Sequence, residues 1–177
     1  PPEDDQTISI APFDSHDTES VLVHDYLLLK IWEQFGEALA SAHARERGYI
    51  RLAFQQVQLG PKVSEMLIQA FKTAPLQTLK LKNNVLGHSI MKFVLDALDA
   101  NASIEALTID SNRIESEEEA VSLMAAVTKH PRIEKLTLDK CGIGSVLAGT
   151  GIVMAVCSLR SVSLRGNDIG SHGARLI

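Results

Sequence analysis

One eleven-residue phrase recurs four times: Leu76-Gln-Thr-Leu79-Lys-Leu81-Lys-Asn-Asn84-Val-Leu86, Ile104-Glu-Ala-Leu107-Thr-Ile109-Asp-Ser-Asn112-Arg-Ile114, Ile133-Glu-Lys-Leu136-Thr-Leu138-Asp-Lys-Cys141-Gly-Ile143 and Leu159-Arg-Ser-Val162-Ser-Leu164-Arg-Gly-Asn167-Asp-Ile169. A degenerate fifth copy, Tyr49-Ile-Arg-Leu52-Ala-Phe54-Gln-Gln-Val57-Gln-Leu59, precedes them with Val57 in the asparagine position. With Leu52, Leu79, Leu107, Leu136 and Val162 taken as equivalent, the steps are 27, 28, 29 and 26 residues. A unit of that length cannot bury its apolar face alone, so it must stack on its neighbours.

Each unit reads as strand, turn and helix. Leu79 and Leu81 alternate with Thr78, Lys80 and Lys82, which sends every second residue to one face of a strand. Between the phrases, Val63, Leu67, Ala70 and Phe71, then Ile90, Phe93, Val94 and Leu98, then Ala120, Leu123, Met124 and Val127, fall at helical spacing. Asn84, Asn112 and Asn167 stand where the chain must leave the strand, and their amides can bond the backbone of adjacent turns. Val57 and Cys141 lack that amide, which predicts weaker turns there. The fold class expected is α/β, with parallel strands in one layer and helices in the other.

Residues 49–177 resemble the ribonuclease-inhibitor class of leucine-rich repeat proteins. The likeness lies in the repeated phrase and in the returns Leu98-Asp-Ala-Asn101-Ala-Ser-Ile104 and Val127-Thr-Lys-His130-Pro131-Arg-Ile133. It lies also in the helix start Asn167-Asp-Ile169-Gly170-Ser-His-Gly173-Ala174. The resemblance implies a right-handed solenoid, or horseshoe, with strands inside and helices outside, in five units of which the last is truncated. Ahead of it, residues 18–48 read as a helical cap. Val21, Leu22, Leu28, Leu29, Trp32, Phe35, Leu39 and Ala42 line one helix face, with Thr18 or Asp17 as N-cap, Gly48 as stop and Gly36 as a break between two helices. Residues 1–17 carry acids, two opening prolines and no Lys or Arg, and are expected to be loosely ordered.

The chain opens on Pro1-Pro2 rather than Met, which suggests a processed fragment. Its last unit stops at Arg175-Leu176-Ile177, so the natural chain is expected to continue, or this uncapped edge to pack against a partner or a second copy. The 45% hydrophobic content, only 5% of residues being aromatic, suits one aliphatic core. A formal charge of −5 without any Lys/Arg cluster argues against nucleic acid. The most apolar run, from Val21 to Phe35, is cut by His24, Asp25, Lys30, Glu33 and Gln34, so no membrane partner is expected. Cys141 and Cys157 have neither metal-site nor disulfide-scaffold spacing, and without a signal peptide an intracellular, cytoplasmic setting is favoured.

The outward strand positions form three columns: Arg51, Thr78, Ala106, Lys135 and Ser161; Ala53, Lys80, Thr108, Thr137 and Ser163; Gln55, Lys82, Asp110, Asp139 and Arg165. The partner-binding candidates are Lys80, Lys82, Thr108, Asp110, Thr137, Asp139 and Arg165. None of these columns holds an aromatic residue, which points to a weak, polar contact or to binding elsewhere. Asp110 and Asp139 on adjacent strands should repel; they either hold a cation or basic side chain, or are neutralised by Lys82, Lys140 and Arg165, the reading favoured here. Glu115-Ser-Glu117-Glu118-Glu119 opens a helix, where its charge is stabilising without any partner. An acidic docking patch is the rival reading. The helix around Tyr26, Leu27, Trp32 and Phe35 either covers the first unit or docks a partner, the former being favoured.

The six histidines form no catalytic constellation, Cys141 reads as structural, and Gly144, Gly149 and Gly151 form no phosphate loop but loosen the fourth return segment. No enzyme activity, cofactor or metal is therefore expected. The reading is a protein-protein interaction scaffold. Two alternatives stand beside it. Residues 91–112 are similar to repeats of the tropomodulin family, which implies actin-filament binding. The repeat type is also that of the Ran GTPase activator, whose mechanism would need an exposed Arg, for which Arg51 and Arg113 are available, or an Asn near the transferred phosphate.

Overall fold

The computed structural model describes residues 7–11, 21–22, 26–41, 48–84, 87–145 and 159–173. Strands and helices alternate: β1 Thr7–Ile10, β2 Val21–Leu22, α1 Tyr26–Ala40, β3 Ile50–Gln55, β4 Val57–Gln58, α2 Pro61–Phe71, β5 Leu76–Lys82, α3 Gly87–Ala100, β6 Ala106–Asp110, α4 Glu117–Lys129, β7 Lys135–Thr137, β8 Ser161–Ser163 and a helical turn at Gly170–Gly173. Six strands make one parallel sheet in the order β1-β3-β5-β6-β7-β8, and β2 pairs with β4 in a second, two-stranded one. The repeat period sets the register. Leu52 lies beside Leu79, Leu79 beside Leu107, Leu107 beside Leu136 and Leu136 beside Val162.

The inward residues of this sheet and the apolar faces of α2, α3 and α4 share one core. Leu52, Phe54, Leu79, Leu81, Leu107, Ile109 and Leu136 are essentially inaccessible to water, as are Leu67, Phe71, Val94 and Leu123 from the helices. All twelve helix positions expected to face the core are buried. Phe93 packs edge-on to Phe54 and Phe71, its ring centroid 6.4 and 6.0 Å from theirs, so it ties α3 to β3 and α2. Helix starts follow the sequence: Pro61 opens α2, and Ser116 caps α4 by accepting from the Glu119 amide at 3.2 Å. Glu119 Oε2 in turn accepts from the Glu115 amide at 2.9 Å, so part of the acidic run serves its own helix.

Two side-chain ladders join the units. At the strand exits, Asn84 Oδ1 accepts from the Val57 amide and Asn112 Oδ1 from the Asn84 amide, each at 2.8 Å. Asn167 Oδ1 accepts from the Cys141 amide at 2.7 Å. The same side chains donate Nδ2 backward, to the carbonyls of Phe54 (3.1 Å), Leu81 (2.9 Å) and Leu138 (2.6 Å). Cys141 preserves half of this pattern: its thiol donates to the Ile109 carbonyl at 2.7 Å but supplies no carbonyl-type acceptor. Just before each ladder residue the chain turns through a left-handed position, at Gln56, Asn83, Ser111, Lys140 and Gly166. Each of the four residues other than Gly166 sits there at a cost of about 1 kcal/mol, which the bonds on either side offset.

The second ladder lies at the helix exits. Asn101 Nδ2 donates to the Phe71 and Ala74 carbonyls at 2.6 and 2.8 Å, and Asn101 Oδ1 accepts from the Ser103 amide at 2.9 Å. One unit later His130 does the same work. Its Nδ1 accepts from the Arg132 amide at 3.3 Å, which in the neutral ring leaves Nε2–H to donate to the Asn101 carbonyl at 2.8 Å.

The N-terminal region departs from expectation in three ways. Thr7–Ile10, inside the stretch expected to be loose, pairs parallel with β3, Ile8 opposite Leu52 and Ile10 opposite Phe54. Ile8 and Ile10 supply the alternation that the acidic flanks hide. Val21–Leu22 is a short strand rather than helix, and α1 begins at Tyr26; the N-caps expected at Thr18 and Asp17 fall outside the described residues. Gly36 does not split α1. It gives room for contact, its bare Cα facing Ala70 and the Met66 carbonyl of α2, both 3.8 Å from where a Cβ would sit. With β1 beside β3, β2 beside β4 and α1 beside α2, this region is laid out like a unit of its own.

Gly144 also differs from its expected loosening role. A Cβ there would lie 2.2 Å from the Asn167 carbonyl oxygen and 2.4 Å from that of Asp168, so the last unit seats directly on its backbone. Gly149, Gly151 and Cys157 lie outside the described residues.

The exit ladder can be tested by substitution. Asn112→Ala removes the bonds to two buried backbone groups, the Asn84 amide and the Leu81 carbonyl, and should lower unfolding free energy by about 2–3 kcal/mol, whereas Cys141→Asn restores the missing acceptor and should raise it by about 1 kcal/mol. Urea denaturation, with unchanged m-values, checks both.

Candidate functional site

The sheet register brings the outward residues into the expected columns. Thr7, Arg51, Thr78, Ala106, Lys135 and Ser161 form one; Ser9, Ala53, Lys80, Thr108, Thr137 and Ser163 form the next, β1 adding its own residue to each. Lys82 pairs with Asp110 in the third, where the Ser111 amide donates to the Asp139 carbonyl and the Lys140 amide to the Arg165 carbonyl, both at 2.8 Å. Thus the seven candidates lie on one face. They do not make one cluster.

Lys80, Thr108 and Thr137 line an open cavity of about 400 Å³, together with Arg51, Gln77, Glu105, Glu134 and Lys135. The sequence columns missed the glutamates because they precede the strands by one residue. Glu105 Oε2 accepts from Gln77 Nε2 at 2.9 Å, and Glu105 Oε1 pairs with Arg132 Nη2 at 3.0 Å. Glu134 Oε2 pairs with Arg160 Nη1 at 3.2 Å. A relative rule was available: Gln77, Glu105 and Glu134 hold the same place in successive phrases.

Asp110 and Asp139 have separate fates. Asp139 Oδ1 accepts from the Ser163 hydroxyl at 2.6 Å and the Arg165 amide at 2.8 Å, so its carboxylate is held by the following unit. On Asp110, Oδ1 is shielded from water without a hydrogen-bond partner. Burial raises the Asp110 carboxyl above its ordinary value, the Asp139 backbone amide draws it back, the Asp139 charge raises it again, and Lys82 and Lys140 lower it. The expected repulsion is real but secondary to desolvation.

Cys141 is fully buried, and desolvation pushes its thiol up to about 12, which leaves almost no thiolate at neutral pH. No group of three or more His, Cys, Asp or Glu able to hold a metal ion occurs among the described residues. Arg51, one of the two arginines considered for a GTPase activator, points its Nε to Gln77 Oε1 at 3.4 Å, and Arg113 is exposed.

The helix layer offers two grooves. One, about 350 Å³, lies between α1 and α2 beside Trp32, Gly36 and Met66; the other, about 540 Å³, lies between α3 and α4 beside Leu95, Ala126 and His130. Trp32 itself is buried, stacked on Phe54 with ring centroids 6.3 Å apart, so its first duty is to cover the β3 unit. No helix among the described residues is long and apolar enough to cross a membrane.

No protein-family model matches the chain. Among solved structures, the tropomodulin C-terminal domain of Caenorhabditis elegans is similar, with a TM-score of 0.57, 14% identity, and coverage of 80% of this chain and 87% of that one. Actin-binding site 2 of leiomodin-1 is similar too, with a TM-score of 0.52, 15% identity, and coverage of 82% and 87%. The likeness is one of fold: a leucine-rich-repeat-like α/β arrangement with a parallel sheet.

The Asp110 carboxyl makes a pH-dependent prediction. Its raised folded value means that protonation favours the native state, so the charged form is a penalty that is absent in acid and present once pH exceeds the folded value. Asp110→Asn should therefore raise Tm at pH 7, and the gain should vanish as pH falls below the ordinary carboxylate range. Thermal melts across pH would check this; a pH-independent gain would disprove the assignment.

Proposed function

We propose that the chain is a non-catalytic protein-interaction module of the cytoplasm, built as a right-handed horseshoe of ribonuclease-inhibitor-type repeats. It binds its partner on the outward, concave sheet face and the adjoining loops. One observation carries this reading. The apolar sides of β3, β5, β6 and β7 are consumed by the core, whereas the other side presents aligned polar columns around a cavity of about 400 Å³. A surface of that kind, assembled from many units and lacking aromatic anchors, suits an extended polar contact.

A more specific form is an actin-filament-binding module. It is supported by the likeness in fold to the tropomodulin domain and to the leiomodin-1 segment that is described as actin-binding.

Two experiments address the two levels. A photo-crosslinking amino acid at Thr108, on the sheet face, should capture a protein partner in cell extract while the same group at Gln69, on α2, does not; the reverse pattern would move the site to the helices. Sedimentation with actin filaments tests the specific form. The wild-type chain should pellet, and Thr108→Arg/Thr137→Arg should weaken pelleting by about tenfold. A chain that stays in the supernatant would end the actin reading.

A further inference from the structure

The sheet face carries a charge pattern opposite to that of the whole chain. The formal net charge is −5, yet the cavity is bordered by Arg51, Lys80 and Lys135, with Lys82 next along β5. Its two acids are already engaged. Glu105 is paired with Arg132 and bonded by Gln77, and Glu134 is paired with Arg160, both arginines reaching in from the segments just ahead of β7 and β8. The arginines thus balance the glutamates and leave Lys80 and Lys135 unbalanced, whereas Lys82 faces Asp110 on the neighbouring strand. Among the described residues, neither the Lys80 nor the Lys135 ammonium makes a hydrogen bond or an ion pair, and both side chains are exposed.

The geometry points to an extended acidic segment of the partner protein as the occupant of this face, its carboxylates received by Lys80, Lys82 and Lys135. This rests on the reading of the chain as a protein-binding module and names the chemistry of what it binds. Lys80 and Lys82 stand two residues apart on one strand, about 6.7 Å, which is also the spacing of alternate side chains in an extended peptide. Lys135 is two strands away and two residues back along the strand direction, level with Ala106 and Thr78, which places it about 12 Å from Lys80 on the diagonal. The Thr108 and Thr137 side chains, level with Lys80 on the next two strands, are half-buried and carry hydroxyls that can donate to a carboxylate or a peptide carbonyl. Three lysines without an aromatic stacking platform suit a short run of Asp or Glu better than a polyphosphate strand. Such a contact is steered by charge, and its affinity is modest and salt-sensitive.

Fluorescence anisotropy with labelled decaglutamate tests the inference at about 50 mM salt, where screening is weak. The wild-type chain should bind it, and binding should weaken as salt is raised. Lys80→Gln/Lys135→Gln should weaken binding by about tenfold, while Lys62→Gln/Lys129→Gln, on exposed positions of α2 and α4, should leave it within about twofold. Circular dichroism and Tm of both double variants should match the wild type, since all four side chains are exposed. Equal losses in both variants, absent decaglutamate binding, or equal binding of a decathymidylate strand would each overturn the inference. The crosslink at position 108 keeps the two levels apart. Crosslinking without decaglutamate binding removes the acidic partner alone; lysine-dependent decaglutamate binding without any crosslink upholds the peptide site and removes the cellular reading.

Discussion

The fold depends on backbone groups that no single unit can satisfy for itself. Where each strand ends, its amides and carbonyls lose their sheet partners at the edge of the core, and water is excluded. The side chains of Asn84, Asn112 and Asn167 stand there with an acceptor facing the preceding turn's amide and a donor facing its carbonyl. Asn101 and His130 meet the same need where the helices end. Leucines supply the driving force by leaving water, but they would tolerate slippage. The polar ladders are what hold each turn to one position over the next.

That division explains what could be read from the chain beforehand. The leucine columns, α2 to α4 and the asparagine ladder follow from spacing alone, because each rests on residues repeated at a fixed step. Strand β1 escaped notice because it is one short alternation, Ile8 and Ile10, within an acidic stretch and far from the regular steps. The β2–β4 pairing was hidden for a similar reason: two residues cannot display a period. His130 was recognisable as part of a return but not as the stand-in for Asn101, since an imidazole and an amide look unlike until both are seen donating to the previous unit.

The site was legible in outline and not in its charges. Alternation placed Lys80, Thr108, Thr137 and their neighbours on the outward face, and the register aligns them. It could not say that Asp139 is held by Ser163 and the Arg165 amide while Asp110 keeps a shielded, unbonded oxygen. Nor could it reveal that Arg132 and Arg160, from outside the strands, cancel the glutamates of the cavity. Those outcomes depend on side-chain reach between units, which the columns do not record.

Cys141 has a consequence of a mechanical kind. Coils joined chiefly to their nearest neighbours behave like links in series, so the least securely fastened joint decides where the assembly parts. Between the coil of Asn112 and that of Cys141 the strand-exit rung is a thiol's weak bond, where the rungs on either side, at Asn112 and Asn167, have an amide. Under a pulling load, or in slow thermal breathing, this is the rung of the strand-exit ladder that would open first.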